Sequence, residues 1–101
     1  MASRLNLHSI LEKILGSRYV YFQPSESLKM QYPAIVYSLK DIDNSYANNL
    51  VYGQSRSYEV TVIDSDPDSE IRDKVSTLPR CTFNRHYKSD NLNHYVFTLY
   101  F

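Results

Sequence analysis

The chain has 101 residues, eleven basic against eleven acidic, and no tryptophan. That length suits one small domain with one core and leaves no room for a cleft between two domains. The balanced charge supplies no broad field for a phosphate backbone or an anionic membrane.

The single cysteine, Cys81, has no intramolecular disulfide partner, and no apolar run approaches the roughly 20 residues that cross a bilayer. The expectation is a soluble protein made in a reducing cytoplasm. The opening MASRLNLHSILEKIL is interrupted by polar residues every third or fourth position, unlike a secretory signal. Ten tyrosines and only two glycines stand out. Tyrosine suits surfaces buried against a partner, and simple strand propensity is the plainer explanation.

In chain order, Leu7, Ile10, Leu11, Ile14 and Leu15 recur at helical spacing and predict an amphipathic helix. Ser3 or Asn6 is placed to cap its start and Gly16 to stop it. RYVYF, residues 18–22, reads as a short strand. PAIVYSL then sets Ile35 and Tyr37 on one face, with Val36 and Ser38 on the other. DIDNSYANNL, residues 41–50, has the Asn and Asp content of a turn and reads as the tip of a long hairpin. SRSYEVTVI, residues 55–63, resumes alternation, with Tyr58, Val60 and Val62 on one face.

DSDPDSEI, residues 64–71, places Asp64, Asp66, Asp68 and Glu70 at every second position. An EF-hand loop counted from Asp64 needs glycine sixth and glutamate twelfth, where this chain has Ser69 and Val75. A helix start accounts for the spacing instead: Asp66 as N-cap, Pro67 at the first helical position, and acidic residues in the first turn. Ile71, Val75 and Leu78 form the buried stripe, and Pro79 ends the helix. CTFNRHY (81–87) and YVFTLYF (95–101) supply two more strands around the turn-like KSDNLN.

His86 and His94, with Cys81 or Asp90, lack the close ligand pairs of zinc sites. No glycine-rich phosphate loop occurs, and nothing marks Cys81 as an activated nucleophile. The expectation is a protein that is not an enzyme, with no metal and no cofactor. Arg80, Arg85, His86 and Lys88, interleaved with Phe83 and Tyr87 and answered by Asp90, leave a small nucleic-acid-binding module as one alternative.

The order helix, strand, strand, strand, helix, strand, strand predicts an α+β fold: a mostly antiparallel five-stranded sheet with two helices packed on one face. As a whole, LHSILEKIL, YPAIVYSL, YEVTVIDSDPDSEIRDKVSTLP and CTFNRHYKSDNLNHYVFTLYF resemble the small tail terminator, or tail completion, proteins of long-tailed bacteriophages. The resemblance covers nearly the whole chain and rests on packing and capping motifs. Head completion and neck proteins, also ring-forming and of similar size, are the neighbouring alternative.

The resemblance implies a virion structural protein at the head–tail junction, made in the host bacterial cytoplasm. It would assemble with itself as a ring, as a rule a hexamer, that ends tail growth. Its partners would be the major tail tube protein and the head completion or connector protein, with no membrane and no sequence-specific nucleic acid, although DNA could pass through the ring. Ring contacts join unlike patches. The expected contacts are Tyr46, Asn48, Asn49 and Tyr52 on the hairpin tip, Arg85, Tyr87 and Lys88 beside the last turn, and Tyr100 on the final strand. Solvated loops are the plain alternative for the first two groups.

Overall fold

In the computed structural model the described residues are 4–24, 29, 32–47 and 50–101. Helix α1 spans Arg4–Leu15 and buries Leu7 and Leu11. Each of these side chains contributes roughly 1.5–3 kcal/mol by leaving water. Gly16 ends the helix at φ +78°, and its N–H bonds to the Glu12 carbonyl at 2.9 Å. A glycine takes this left-handed conformation at no steric cost. Asn6 lies inside the helix, one turn past the position a cap would occupy, and Ser3 is outside the described residues.

Strands β1 (Val20–Phe22), β2 (Ala34–Ala47), β3 (Leu50–Asp64), β4 (Cys81–Ser89) and β5 (Leu92–Tyr100) form one sheet in the order β1-β2-β3-β5-β4. Only the β1–β2 pair is parallel. Helix α2 spans Glu70–Ser76. The element order and the α+β class are those expected from sequence. Leu7, Leu11 and Val75 share one core with Tyr37, Val60, Phe97 and Leu99, so both helices cover the same sheet face.

Two expectations are corrected here. The first concerns the start of α2. Ser69, not Asp66, is the N-cap, with its Oγ accepting from the Arg72 N–H at 3.3 Å, and Pro67 precedes the helix. Asp64 Oδ1 accepts from the Asp66 N–H at 3.0 Å, and Asp66 Oδ1 accepts from the Asp68 N–H at 2.9 Å. These consecutive Asx turns spend the carboxylates on the loop's own backbone. The Pro67 carbonyl accepts from the Tyr95 hydroxyl and the Arg72 guanidinium, which ties the loop to the sheet and moves the helix start to the buried Ser69.

The second correction concerns the polar stretch 41–50. It is strand rather than turn through Ala47, and pairing runs from Ala34↔Ile63 to Ala47↔Leu50 with bulges after Leu39 and Ser45. Cross-strand pairing prevails over the turn preference of single Asn and Asp residues. The β4–β5 connection contracts from the six residues expected to Asp90 and Asn91, at φ +53° and +63°. Positive φ at both central residues matches the right-handed strand twist of a two-residue hairpin.

Tyr37 joins α1 to the sheet. Its ring is fully buried, in contact with Phe22 at 4.9 Å and Tyr58 at 6.1 Å between centroids. Its hydroxyl accepts from Arg4 Nη1 at 3.2 Å and shares a second hydrogen bond with His8 Nδ1 at 2.7 Å. Burial raises the Tyr37 phenol above its ordinary value, and this outweighs the lowering effect of Arg4.

Candidate interaction surface

Antiparallel partners point to the same side of a sheet and successive residues to opposite sides. The register therefore sorts the sheet into a helix-covered face and an open face. Val36, Ser38, Glu59, Thr61, Val96, Thr98, Thr82 and Arg85 share the open face. The described residues place no helix over it. Val96 is nonetheless buried, in register between Thr61 and Arg85. The Arg85 guanidinium reaches Glu59 at 3.6 Å, and Lys40 Nζ donates to Thr98 Oγ1 at 3.3 Å. Long polar side chains thus lie over this face beside Val96. Both members of the Arg85–Glu59 pair are substantially exposed, so the pair contributes little to stability.

β4 is the outer strand at this side, and every residue after Cys81 in it is exposed. Phe83 is 53% and Tyr87 43% exposed. Tyr87 stacks on His94 at 4.7 Å, with Arg85 Cζ 5.8 Å from its ring centroid. His86 instead stacks on Tyr95 at 4.7 Å and meets Asn93 Oδ1 at 3.1 Å. The two histidines imagined as zinc ligands therefore lie on opposite faces of the sheet. Among the described residues no group of three or more His, Cys, Asp or Glu side chains converges for a metal. Burial pushes the Cys81 thiol up, away from the thiolate that nucleophilic chemistry uses.

At the opposite end of the sheet the β2–β3 hairpin outruns its neighbours. β1 flanks β2 only at Ile35–Tyr37, and β5 reaches no further along β3 than Ser57↔Tyr100. Phe101 adds one more bond, from its N–H to the Arg56 carbonyl at 3.0 Å. Beyond that point the hairpin is a two-stranded arm, and the molecule extends 51 Å along its longest axis against 27 and 23 Å across. On the arm Tyr46 faces Val51, and Tyr52 falls at the bulge between Val51 and Gly53. Asn48 and Asn49 lie outside the described residues. Leu39 and Ile42, near the arm's root, are exposed apolar residues on the helix-covered side.

The structure therefore separates the expected contacts into two regions: the arm with Tyr46 and Tyr52, and β4 with Arg85, Tyr87 and Lys88. Tyr100 stands between them at the arm's root, 38% exposed, with Arg80 Cζ 5.4 Å from its ring centroid. Sequence reasoning missed an apolar hollow of about 210 Å³ beside it, lined by Leu7, Ile10, Leu78, Pro79, Leu99 and Phe101. These residues come from three separate parts of the chain, and no local pattern joins them.

No protein-family model matches this chain, and no curated protein matches it significantly.

Proposed function

We propose that this chain is a ring-forming virion structural protein of the tail terminator kind, closing the head-proximal end of a phage tail tube and joining it to the head connector. The observation that carries the reading is the two-stranded arm. An isolated two-stranded ribbon is at best marginally stable in water, so an arm projecting past its own sheet calls for a second surface to rest on. The neighbouring subunit of a ring supplies one at every position around the circle. The exposed aromatics of β4 and Tyr100 add to it, since aromatic side chains are enriched where protein surfaces meet. The proposed role is assembly, without catalysis, and the resemblance in element order and motifs supplies its viral context.

The test is complementation of a phage lacking this chain with a version whose arm is shortened by closing residue 43 onto its partner 55 with a two-residue Asn-Gly turn, which keeps the register of the remaining strands. The shortened chain is expected to fold, as judged by circular dichroism, and to yield no finished tails. Infectious particles at normal yield would remove the arm from assembly and take with it the support for this reading. In wild-type assemblies Tyr100 is expected to react more slowly with a tyrosine-selective reagent than in free subunits. Equal reactivity would place it outside the contact.

A further inference from the structure

We infer that the apolar hollow beside Tyr100 binds the alkyl chain of an aliphatic carboxylate, with Arg80 taking its head group. The site lies within one subunit, so it stands apart from the ring reading. Burial grades it from floor to mouth. Leu7 and Leu99 are buried and form the floor, Ile10, Leu78 and Phe101 are half-buried walls, and Arg80 and Tyr100 are exposed at the rim.

Size and lining select the tail. A cavity of about 150 Å³ lined by leucine, isoleucine and phenylalanine stays dry and holds benzene. At about 210 Å³ with the same kind of lining, this hollow has room in proportion for ~8 carbons. A drug-sized site needs roughly 300 Å³ or more, so one unbranched chain fits and a folded cofactor does not. An alkyl chain entering the hollow leaves water and gains van der Waals partners around it.

The head group follows from the rim. Arg80 is the charged residue lining the hollow, and no acidic residue lines it among the described residues. Arg80 also makes no ion pair among the described residues. Two contacts hold it at the mouth: its carbonyl accepts from the Tyr100 N–H at 3.1 Å, and its Cζ stands 5.4 Å from the Tyr100 ring centroid. Its φ of +61° is a left-handed conformation that Gly or Asn adopts with less strain, so the position carries a guanidinium at some conformational cost. A planar guanidinium meets a carboxylate through two parallel N–H···O bonds. An alkylammonium would be repelled there, and an alcohol offers one neutral bond in place of two charged ones.

The experiment titrates the full chain with hexanoate, octanoate, decanoate and dodecanoate below their micelle-forming concentrations. Octanol and octylammonium serve as controls, and leucine and isoleucine methyl groups are followed by NMR. Shifts are expected at Leu7, Ile10, Leu78 and Leu99. Affinity should rise about fourfold per added methylene, then level off once the chain passes ~8 carbons. Octanoate should bind more tightly than either control. Arg80→Gln should weaken octanoate by up to about fivefold and leave octanol unchanged. Ile10→Phe, which fills the hollow, should abolish binding of all the chains, and Leu78→Phe serves in its place if that variant does not fold. Affinity that keeps climbing with chain length, or shifts spread over exposed Leu5, Leu39 and Ile42, would mean adsorption to the surface and overturn the site. Octanol binding as tightly as octanoate, or an Arg80→Gln chain that keeps the carboxylate preference, would overturn the head-group assignment. Absence of saturable binding at millimolar octanoate would overturn the inference outright, and none of these results touches the ring reading.

Discussion

Replacing Tyr37 by phenylalanine keeps the buried ring and removes only the hydroxyl between Arg4 and His8. A net hydrogen bond contributes about 0.5–1.5 kcal/mol. Arg4 and His8 are both only half-buried and regain water when the hydroxyl is gone, so the expected cost near pH 8 is about 1–2 kcal/mol rather than the full sum. The pH dependence separates this from simple loss of packing. Burial raises the folded-state phenol above its ordinary value near 10. The stabilisation is therefore fully present below pH 10 and is lost as pH rises through the unfolded and then the folded value. At pH 11 an unfolded tyrosine one unit above its pKa gains about 1.4 kcal/mol from ionising, and that is the most the wild type can lose at this position. Tyr37→Phe cannot ionise there, so the difference between the two proteins should shrink by up to that amount. Urea denaturation of both chains at pH 8 and pH 11 measures it, and the other tyrosines, common to both, cancel to first order. A difference that is the same at both pH values would refute the link between the buried phenol and α1 docking.

Three further outcomes are expected. Ser69→Ala should cost about 1 kcal/mol through the lost N-cap, more than Asp66→Ala, whose carboxylate holds an exposed turn; chemical denaturation of both variants ranks them. Asn91→Gly should stabilise the chain by about 0.4–1 kcal/mol, because glycine relieves the positive φ of +63° at that position, read as a rise in melting temperature. Calcium or magnesium at micromolar concentration should leave the melting temperature unchanged, since Asp64 and Asp66 already accept backbone N–H groups; a rise of many degrees would show a metal site in the acidic loop.

Alternation in the sequence located the buried faces of the central strands. Ile35, Tyr37, Tyr58, Val60 and Val62 are all buried as their period implied, because a strand with one face on a core has to place its apolar side chains at every second position. Helix α1 was legible for the same reason at a different period. The N-cap of α2 was not, because Asp66 and Ser69 are both good caps. The choice between them is made by Tyr95, 28 residues away from Pro67, whose hydroxyl anchors the loop. The long hairpin with its tip in 41–50 was legible, but the strands run further into that stretch than its Asn and Asp content implies, because the register that makes it a ribbon is a property of two strands together. Ser57 and Ile63 lie on the open face yet are 3% and 5% exposed. Their burial comes from neighbouring strands on both sides, and strand order cannot be read from one strand's pattern. Of the expected contacts, β4 was recognisable as a basic and aromatic stretch, but its place at the sheet edge, which makes those residues exposed, was not.

The central claim is that this chain ends tail growth and joins tail to head, and electron microscopy of particles formed when it is interrupted tests that most directly. Abnormally long or irregular tails separate from filled heads are the predicted result. Tails of normal length joined to full, infectious heads would contradict it.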